Sequence, residues 1–597
     1  MNKTGIGSCL LGLLIFFFIS CTKNHQMEQS ELEQYTLDES NDNHKVIIYQ
    51  VFTRLFGNKN TTNKPGGELT ENGSGKFNDF DETALQAIKE MGITHIWYTG
   101  VIEHATMTDY TAYGIRKDNP EVVKGKAGSP YAIKDYYDVN PDLAVNVKDR
   151  MEEFDNLVLR THKAGLKVII DFVPNHVARQ YHSDAKPQDI KDLGEYDDKT
   201  VIFHPNNNFY YLPEEAFQIP ADLKEKVNKQ SFREMPAKAS GNDVFKAQPS
   251  VHDWFETVKL NYGIDPQSKE KHFDPIPDTW NKMEAILKFW TDKGVDGFRC
   301  DMAEMVPVEF WHWVIPRIKA VNPDILFIAE IYNPAEYENY LKEGKFDYLY
   351  DKVQLYDTLK HIIQGKSTTD HITTVWQDLK GINQYMLRFL ENHDEQRIAS
   401  PDFAGDPFKA IPAMVVSATL YTGPVMIYFG QEVGEPGAGA SGFSGDDGRS
   451  TIFDYWGVPE HQKWMNNGKF DGGLLSDDQK RLHSIYSEIL NLVKDHEVFG
   501  NGKFFDLHAI NKKYNASYAP ELYSYLRYNE EEVFLILTNF SEKPISATVD
   551  IPVDIANFDS IQKLSGGAEP LNLTIKKHTN ILDIKVQPWD YAIMKLF

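Results

Sequence analysis

A chain of 597 residues exceeds the usual size of one domain, so a large body with at least one smaller module is expected. Hydrophobic residues at 41% and charged residues at 25% are the proportions of a soluble globular protein, and so long a chain can bury a substantial core. The formal net charge of −25 argues against nucleic acid as a partner, since such binders need a basic face, and suits a neutral substrate such as a polysaccharide.

In chain order, residues 1–20 read as an export signal: Lys3 gives a basic start, and an apolar run over 9–19 is too short to span a bilayer. The run closes on Phe18-Ile19-Ser20-Cys21, which resembles a bacterial lipoprotein box with Cys21 as the lipid-bearing mature N-terminus, although Phe18 departs from the aliphatic residue usual there. Residues 21–43 are polar and form a flexible tether, and the anchor would place the protein on a bacterial envelope membrane, the outer membrane being the favoured one. With Cys9 in the signal and Cys21 lipidated, Cys300 is left unpaired, so no disulfide is expected, and no Cys/His spacing points to zinc.

From about residue 45 to 430, short β-branched or aromatic runs alternate with helical patterns. The strand candidates are 46–52, 93–98, 167–172, 295–300, 325–331, 346–350, 385–390 and 424–429. This predicts an α/β fold, a (β/α)8 TIM barrel over 44–497. The rhythm breaks once, after His176, where a polar stretch at about 177–270 predicts an inserted domain. Over 498–597, alternating runs at 522–528, 533–539 and 545–551 predict an antiparallel β-sandwich.

Polar residues gather where these strands end: Asp171, Asn175 and His176 after the third, Arg299 and Asp301 on the fourth, Glu330 after the fifth, and Glu391, His393 and Asp394 after the seventh. In a parallel barrel all these ends open on one face. Glycoside hydrolysis needs one protonated carboxyl for the leaving oxygen and another to attack or stabilise the sugar carbon. Arg299 and Asp301 are two apart on a strand and share a face, which makes Asp301 the natural nucleophile; spacing alone leaves Glu330 and Asp394 both open as the acid.

These four segments resemble the signature regions of the α-amylase superfamily, glycoside hydrolase family 13, and the resemblance runs from about residue 45 to the C-terminus. It implies Asp301 as nucleophile, Glu330 as general acid/base and Asp394 as transition-state stabiliser, with His176, His393 and Arg299 binding the sugar and Asp171 supporting the site. Tyr131, in Ser-Pro-Tyr-Ala-Ile-Lys-Asp-Tyr, is similar to the family's tyrosine that stacks on the sugar being cleaved, and Gly430-Gln431-Glu432 resembles the usual barrel ending. The long insertion then corresponds to domain B and the sandwich to domain C.

Two departures shape the expectation. Glu304 and Met305 stand where many α-amylases carry a Lys-His pair that holds the sugar beyond the cut. The stretch Val258-Lys259-Leu260-Asn261-Tyr262 is similar to the neopullulanase-like form of a fifth region, which tilts the expected substrates toward oligosaccharides with both α-1,4 and α-1,6 links. Many members bind calcium through the asparagine matching Asn175, which makes it a candidate calcium ligand, but one asparagine is not a site. The expected partner is an α-glucan and the expected reaction retaining hydrolysis, with glucosyl transfer or a non-catalytic glycan-binding role as alternatives.

Overall fold

The computed structural model describes residues 34, 36–37, 44–224, 230–443 and 445–597; the export signal, Cys21 and most of the tether lie outside the described residues. All eight expected barrel strands form: β1 (Ile47–Phe52), β2 (His95–Thr99), β3 (Lys167–Phe172), β4 (Gly297–Cys300), β5 (Leu326–Ala329), β6 (Tyr348–Tyr350), β7 (Met386–Phe389) and β8 (Val425–Tyr428). Each pairs in parallel with its neighbours, and Val425 against Ile47 closes the ring. Closure leaves no unpaired edge, which is why strands this short and apolar are tolerated.

Helices cover the barrel because their apolar residues fall on one side. In α1 (Glu82–Glu90) Asp81 caps the Ala84 amide while Ala84, Leu85 and Ile88 turn inward. Helices α2 (Arg150–Lys163), α3 (Asp278–Asp292), α4 (Val308–Lys319), α5 (Tyr337–Lys342) and α6 (Asp370–Asp378) follow. Helix α7 (Ile411–Thr419) is buried all round, since it lies between the barrel and the C-terminal sheet, where Arg527 Nη1 donates to Thr419 O at 2.7 Å. Helix α8 (Asp477–Asp495) opens on a Ser476/Gln479 capping box and buries Leu482, Tyr486, Ile489, Leu490 and Val493.

The alternation breaks twice rather than once. The segment between β2 and α2 holds an antiparallel pair, Ile102–His104 with Ile133–Val139; the first is only three residues long and the second is interrupted by Lys134, Asp135 and Asp138, so neither announces itself in the sequence. The expected interruption after β3 carries a small core of its own around Leu212, Phe217, Ile219, Phe232 and Ala237. Buried Arg179 ties it together by donating to Phe255 O at 2.7 Å and Thr257 O at 3.1 Å, with an ion pair to Glu234 at 2.6 Å.

Downstream, β9 (Lys503–Asp506), β10 (Leu522–Tyr528), β11 (Val533–Asn539), β12 (Ile545–Pro552), β13 (Ile561–Gly566), β14 (Glu569–Ile575), β15 (Thr579–Val586) and β16 (Tyr591–Leu596) form a six-stranded and a three-stranded antiparallel sheet. Leu526, Leu535, Leu537 and Met594 from one face pack with Val549, Ile551, Leu582 and Ile584 from the other. The sixth strand of the larger sheet corrects the tether as read from sequence: Thr36–Leu37 pairs antiparallel with Phe504 and Phe505 on β9. A polar stretch that carries even two residues able to pair can complete an open sheet edge.

Candidate active site

The rim of the barrel is built by register. On β3 and β4, Asp171 lies directly opposite Arg299. One step further on, Asp301 N donates to Phe172 O at 2.9 Å, and Glu330 N to Cys300 O at 3.1 Å, so both carboxylates leave the ladder at the same level. After β7, Asn392 Oδ1 accepts the Asp394 and Glu395 amides at 2.8 and 2.9 Å, a turn that swings Asp394 toward the rim.

Arg299 organises the centre. Its Nη1 donates to Asp301 Oδ1 at 2.9 Å and to Asp171 Oδ1 at 3.4 Å, its Nε donates to Tyr350 OH at 3.1 Å, and its Nη2 lies 2.8 Å from Glu330 Oε2. That last contact is a close charge pairing without good hydrogen-bond alignment. Burial works against the guanidinium charge, but Glu330 and then Tyr350, Tyr131 and Asp301 hold it protonated. The rings of Trp97, Tyr131 and Tyr350 surround it at 5.3 to 5.5 Å, and Trp97 Nε1 donates to Asp171 Oδ2 at 3.1 Å.

The carboxylates differ in their donors. Glu330 accepts from Met302 N at 2.8 Å and Tyr332 OH at 2.7 Å, whereas Asp301 Oδ2 has no hydrogen-bond partner. Burial pushes the Asp301 carboxyl well above its ordinary range, and the neighbouring Glu330 adds to this while Arg299 opposes it. Asp394 shifts the other way: burial would raise it, but His393 and Arg299 together bring it below the usual value.

His393 links the remaining parts. Its Nε2 lies 3.0 Å from Asp394 Oδ2 and 2.5 Å from Tyr131 OH, while its Nδ1 meets Gln50 Nε2 at 2.8 Å. With the amide nitrogen facing Nδ1, the ring proton sits on Nε2, toward Asp394. His176 is buried against Trp254, ring centroids 5.2 Å apart, and burial lowers its pKa to about 3, so it meets a ligand neutral. Asn175 sits beneath it, with its Nδ2 donating to Gly241 O at 2.8 Å and its Oδ1 accepting from the Lys259 ammonium.

A cavity of about 870 Å³ opens over this rim, lined by Tyr131, His176, Asp301, Glu330 and Asp394. Arg299, Asp171 and His393 lie under it and shape those side chains from below. Sequence reading missed Tyr332 and Trp254, which also line it. Tyr332 had a legible signal, since it sits two residues after Glu330 and so shares its face. Trp254 had none: its backbone is left-handed, φ 44°, a strain unusual for a bulky residue and one that follows from how the insertion folds over His176.

The carboxyl-end rim of a closed parallel barrel here gathers three buried carboxylates on one arginine and opens two of them, Asp301 and Glu330, onto a cleft, the arrangement that glycoside hydrolysis needs. The family comparison agrees: the model of the α-amylase catalytic domain matches residues 50–481, and the chain belongs to that family. It is 23% identical over 477 residues to Alpha-amylase 3 of Dictyoglomus thermophilum, covering 75% of this chain and 76% of that one. It is 22% identical over 409 residues to Neopullulanase 2 of Thermoactinomyces vulgaris, covering 66% of this chain and 57% of that one, so it spans little more than half of that relative. A maltogenic α-amylase from Thermotoga neapolitana shares the fold, with TM-score 0.58 and 20% identity over 92% of this chain and 98% of that one.

Proposed function

We propose that the chain hydrolyses α-glucosidic bonds in starch, maltodextrin or pullulan fragments with retention at the sugar carbon. Asp301 attacks the anomeric carbon as carboxylate while Glu330 gives its proton to the departing glycosidic oxygen, leaving a glycosyl ester on Asp301. Glu330, now a carboxylate, takes a proton from water; the water oxygen bonds to the anomeric carbon and Asp301 departs unchanged. Asp394, held by His393, grips hydroxyls of the flattened sugar, and Tyr131 offers its ring to the sugar's C–H face.

The observation that carries this reading is the single guanidinium of Arg299 touching Asp301 and Glu330 at once. A shared fork of that kind fits the about 5–5.5 Å carboxyl spacing of retaining enzymes and leaves little room for the water that inverting enzymes place between theirs. The insertion's Val258-Lys259-Leu260-Asn261-Tyr262 and the name of the neopullulanase relative favour action on α-1,6 as well as α-1,4 links. NMR of the first product released from maltotriose and panose checks both points: the α-anomer is expected from each, and an initial β-anomer removes the mechanism. Products longer than the substrate would show that a sugar, not water, takes the second step.

Cys21 carries a lipid in this reading and the polar tether holds the barrel off a bacterial envelope membrane. Cys21→Ala should then move the protein to the soluble fraction, and continued membrane association would refute the anchor.

A further inference from the structure

The junction between the insertion and the barrel rim turns on one buried side chain. Lys259 ends the short strand Thr257–Lys259, which pairs antiparallel with His176–Ala178, so that Lys259 sits opposite His176. Its ammonium meets three oxygens from three separate parts of the chain: Asn175 Oδ1 after β3, Met305 O at 3.1 Å after β4, and Asp243 Oδ1 at 2.9 Å in the insertion. A lysine ammonium has three donors, and all three are used here. The insertion is packed hard against the same point: a Cβ on Gly241 would fall 2.4 Å from Thr257 Oγ1 and 2.9 Å from His176 Cβ.

This arrangement does not fit a calcium ion bound through Asn175. Calcium takes six to eight oxygens and favours several carboxylates. Here the asparagine oxygen already accepts from a cation, the single carboxylate at the junction is paired with that same cation, and no cluster of three acidic, histidine or cysteine side chains suited to a metal occurs among the described residues. A divalent ion placed on these oxygens would also lie within a few ångströms of the buried Lys259 ammonium, a like charge.

We infer that Lys259 supplies the positive charge at this junction as a covalently tethered cation, tying the insertion to the loops that carry His176 and Asp301 without a divalent metal. The inference concerns the scaffold and stands whether or not the proposed substrate is right, because its primary readout is melting.

The test compares the full chain in chelator and in excess calcium. Wild type is expected to melt at the same temperature and turn over at the same rate in both. Lys259→Met, which keeps the apolar stem and deletes the charge, is expected to melt several degrees lower in both media, the response expected when a buried charged group's partners are left unpaired. If that variant does not accumulate as folded protein, Asp243→Asn is read instead; it keeps the ammonium and should lower melting by a smaller margin, unmoved by calcium. A wild-type melting temperature that falls in chelator and recovers with calcium overturns the inference, as does a Lys259→Met or Asp243→Asn protein that melts like wild type.

Discussion

Two buried arginines at the barrel's carboxyl end, Arg299 and Arg397, are each surrounded by carboxylates, and only one of the two clusters opens on the cleft. Arg397 pairs with Glu391 Oε2 at 3.0 Å and donates to Phe429 O at 2.8 Å, while the other Glu391 oxygen accepts the Ile398 amide at 2.6 Å. Glu435 accepts the Gly437 and Glu460 amides, and Glu432 accepts from Tyr49 OH. None of the four lines the cleft. Burial, with a smaller push from neighbouring carboxylates and against the pull of Arg397, raises Glu391 and Glu432 to about 7, close to where a general acid would work. A perturbed carboxyl is therefore no mark of catalysis unless it also opens on space for a substrate. Around Arg299 the backbone amides are fewer, Asp301 keeps an oxygen without a partner, and the cleft lies directly above.

The sharpest way to break the comparison is to neutralise one carboxylate in each cluster. Asp301→Asn should cost at least about a thousandfold in kcat with little loss of melting temperature, since its charge is unfavourable where it is buried. Glu391→Gln should keep the turnover of the folded fraction and lower stability by roughly 1–3 kcal/mol, because both Glu391 oxygens accept hydrogen bonds and an amide can replace only one of them, whereas Asp301 Oδ2 has no partner to lose. Denaturation curves and active-site titration of both variants decide it; comparable activity losses would mean that the Arg397 cluster also belongs to the chemistry.

A smaller effect sharpens the electrostatics. In the proposed mechanism Asp301 reacts only as carboxylate, and its pKa is raised, so kcat/KM should fall on acidification through a limb above about pH 4, the ordinary aspartate value. Glu330→Gln removes the neighbouring charge that adds to this shift. On an aryl glucoside whose leaving group needs no proton, the acid limb of that variant should move to lower pH; a limb that stays put would remove Glu330 as a cause.

The smallest expected effect concerns Tyr332. Glu304 accepts the Tyr332 and Asn333 amides at 3.2 and 3.1 Å and so fixes the loop from which Tyr332 OH reaches Glu330. Tyr332→Phe deletes a hydrogen-bond donor to Glu330, and kcat should fall by up to about tenfold at unchanged KM. An unchanged kcat with a raised KM would instead assign Tyr332 to sugar binding alone.

Much of this was legible beforehand. The eight barrel strands could be read because parallel strands buried on both faces are short apolar runs, and the site residues because they follow those runs directly. The pair Ile102–His104 with Ile133–Val139 was missed for the opposite reason, the first strand having only three residues and the second being broken up by Lys134, Asp135 and Asp138. Glu391 and Asp394 follow the same strand, and it was the family resemblance, not strand position, that singled out Asp394. The Asn392 turn separates them, sending one under Arg397 and the other to the rim.

The sequence by itself determined which side chains stand at the strand ends, because strand period and parallel pairing leave no freedom in where they emerge. Only the tertiary structure decided which of them meet. Arg299 reaches Asp171, Asp301 and Glu330 because three strands lie side by side in register, and Lys259 reaches Asn175 and Met305 because the insertion folds back across the rim. Charge interactions of this kind depend on distance and on the exclusion of water, and neither quantity exists until the chain has closed on itself.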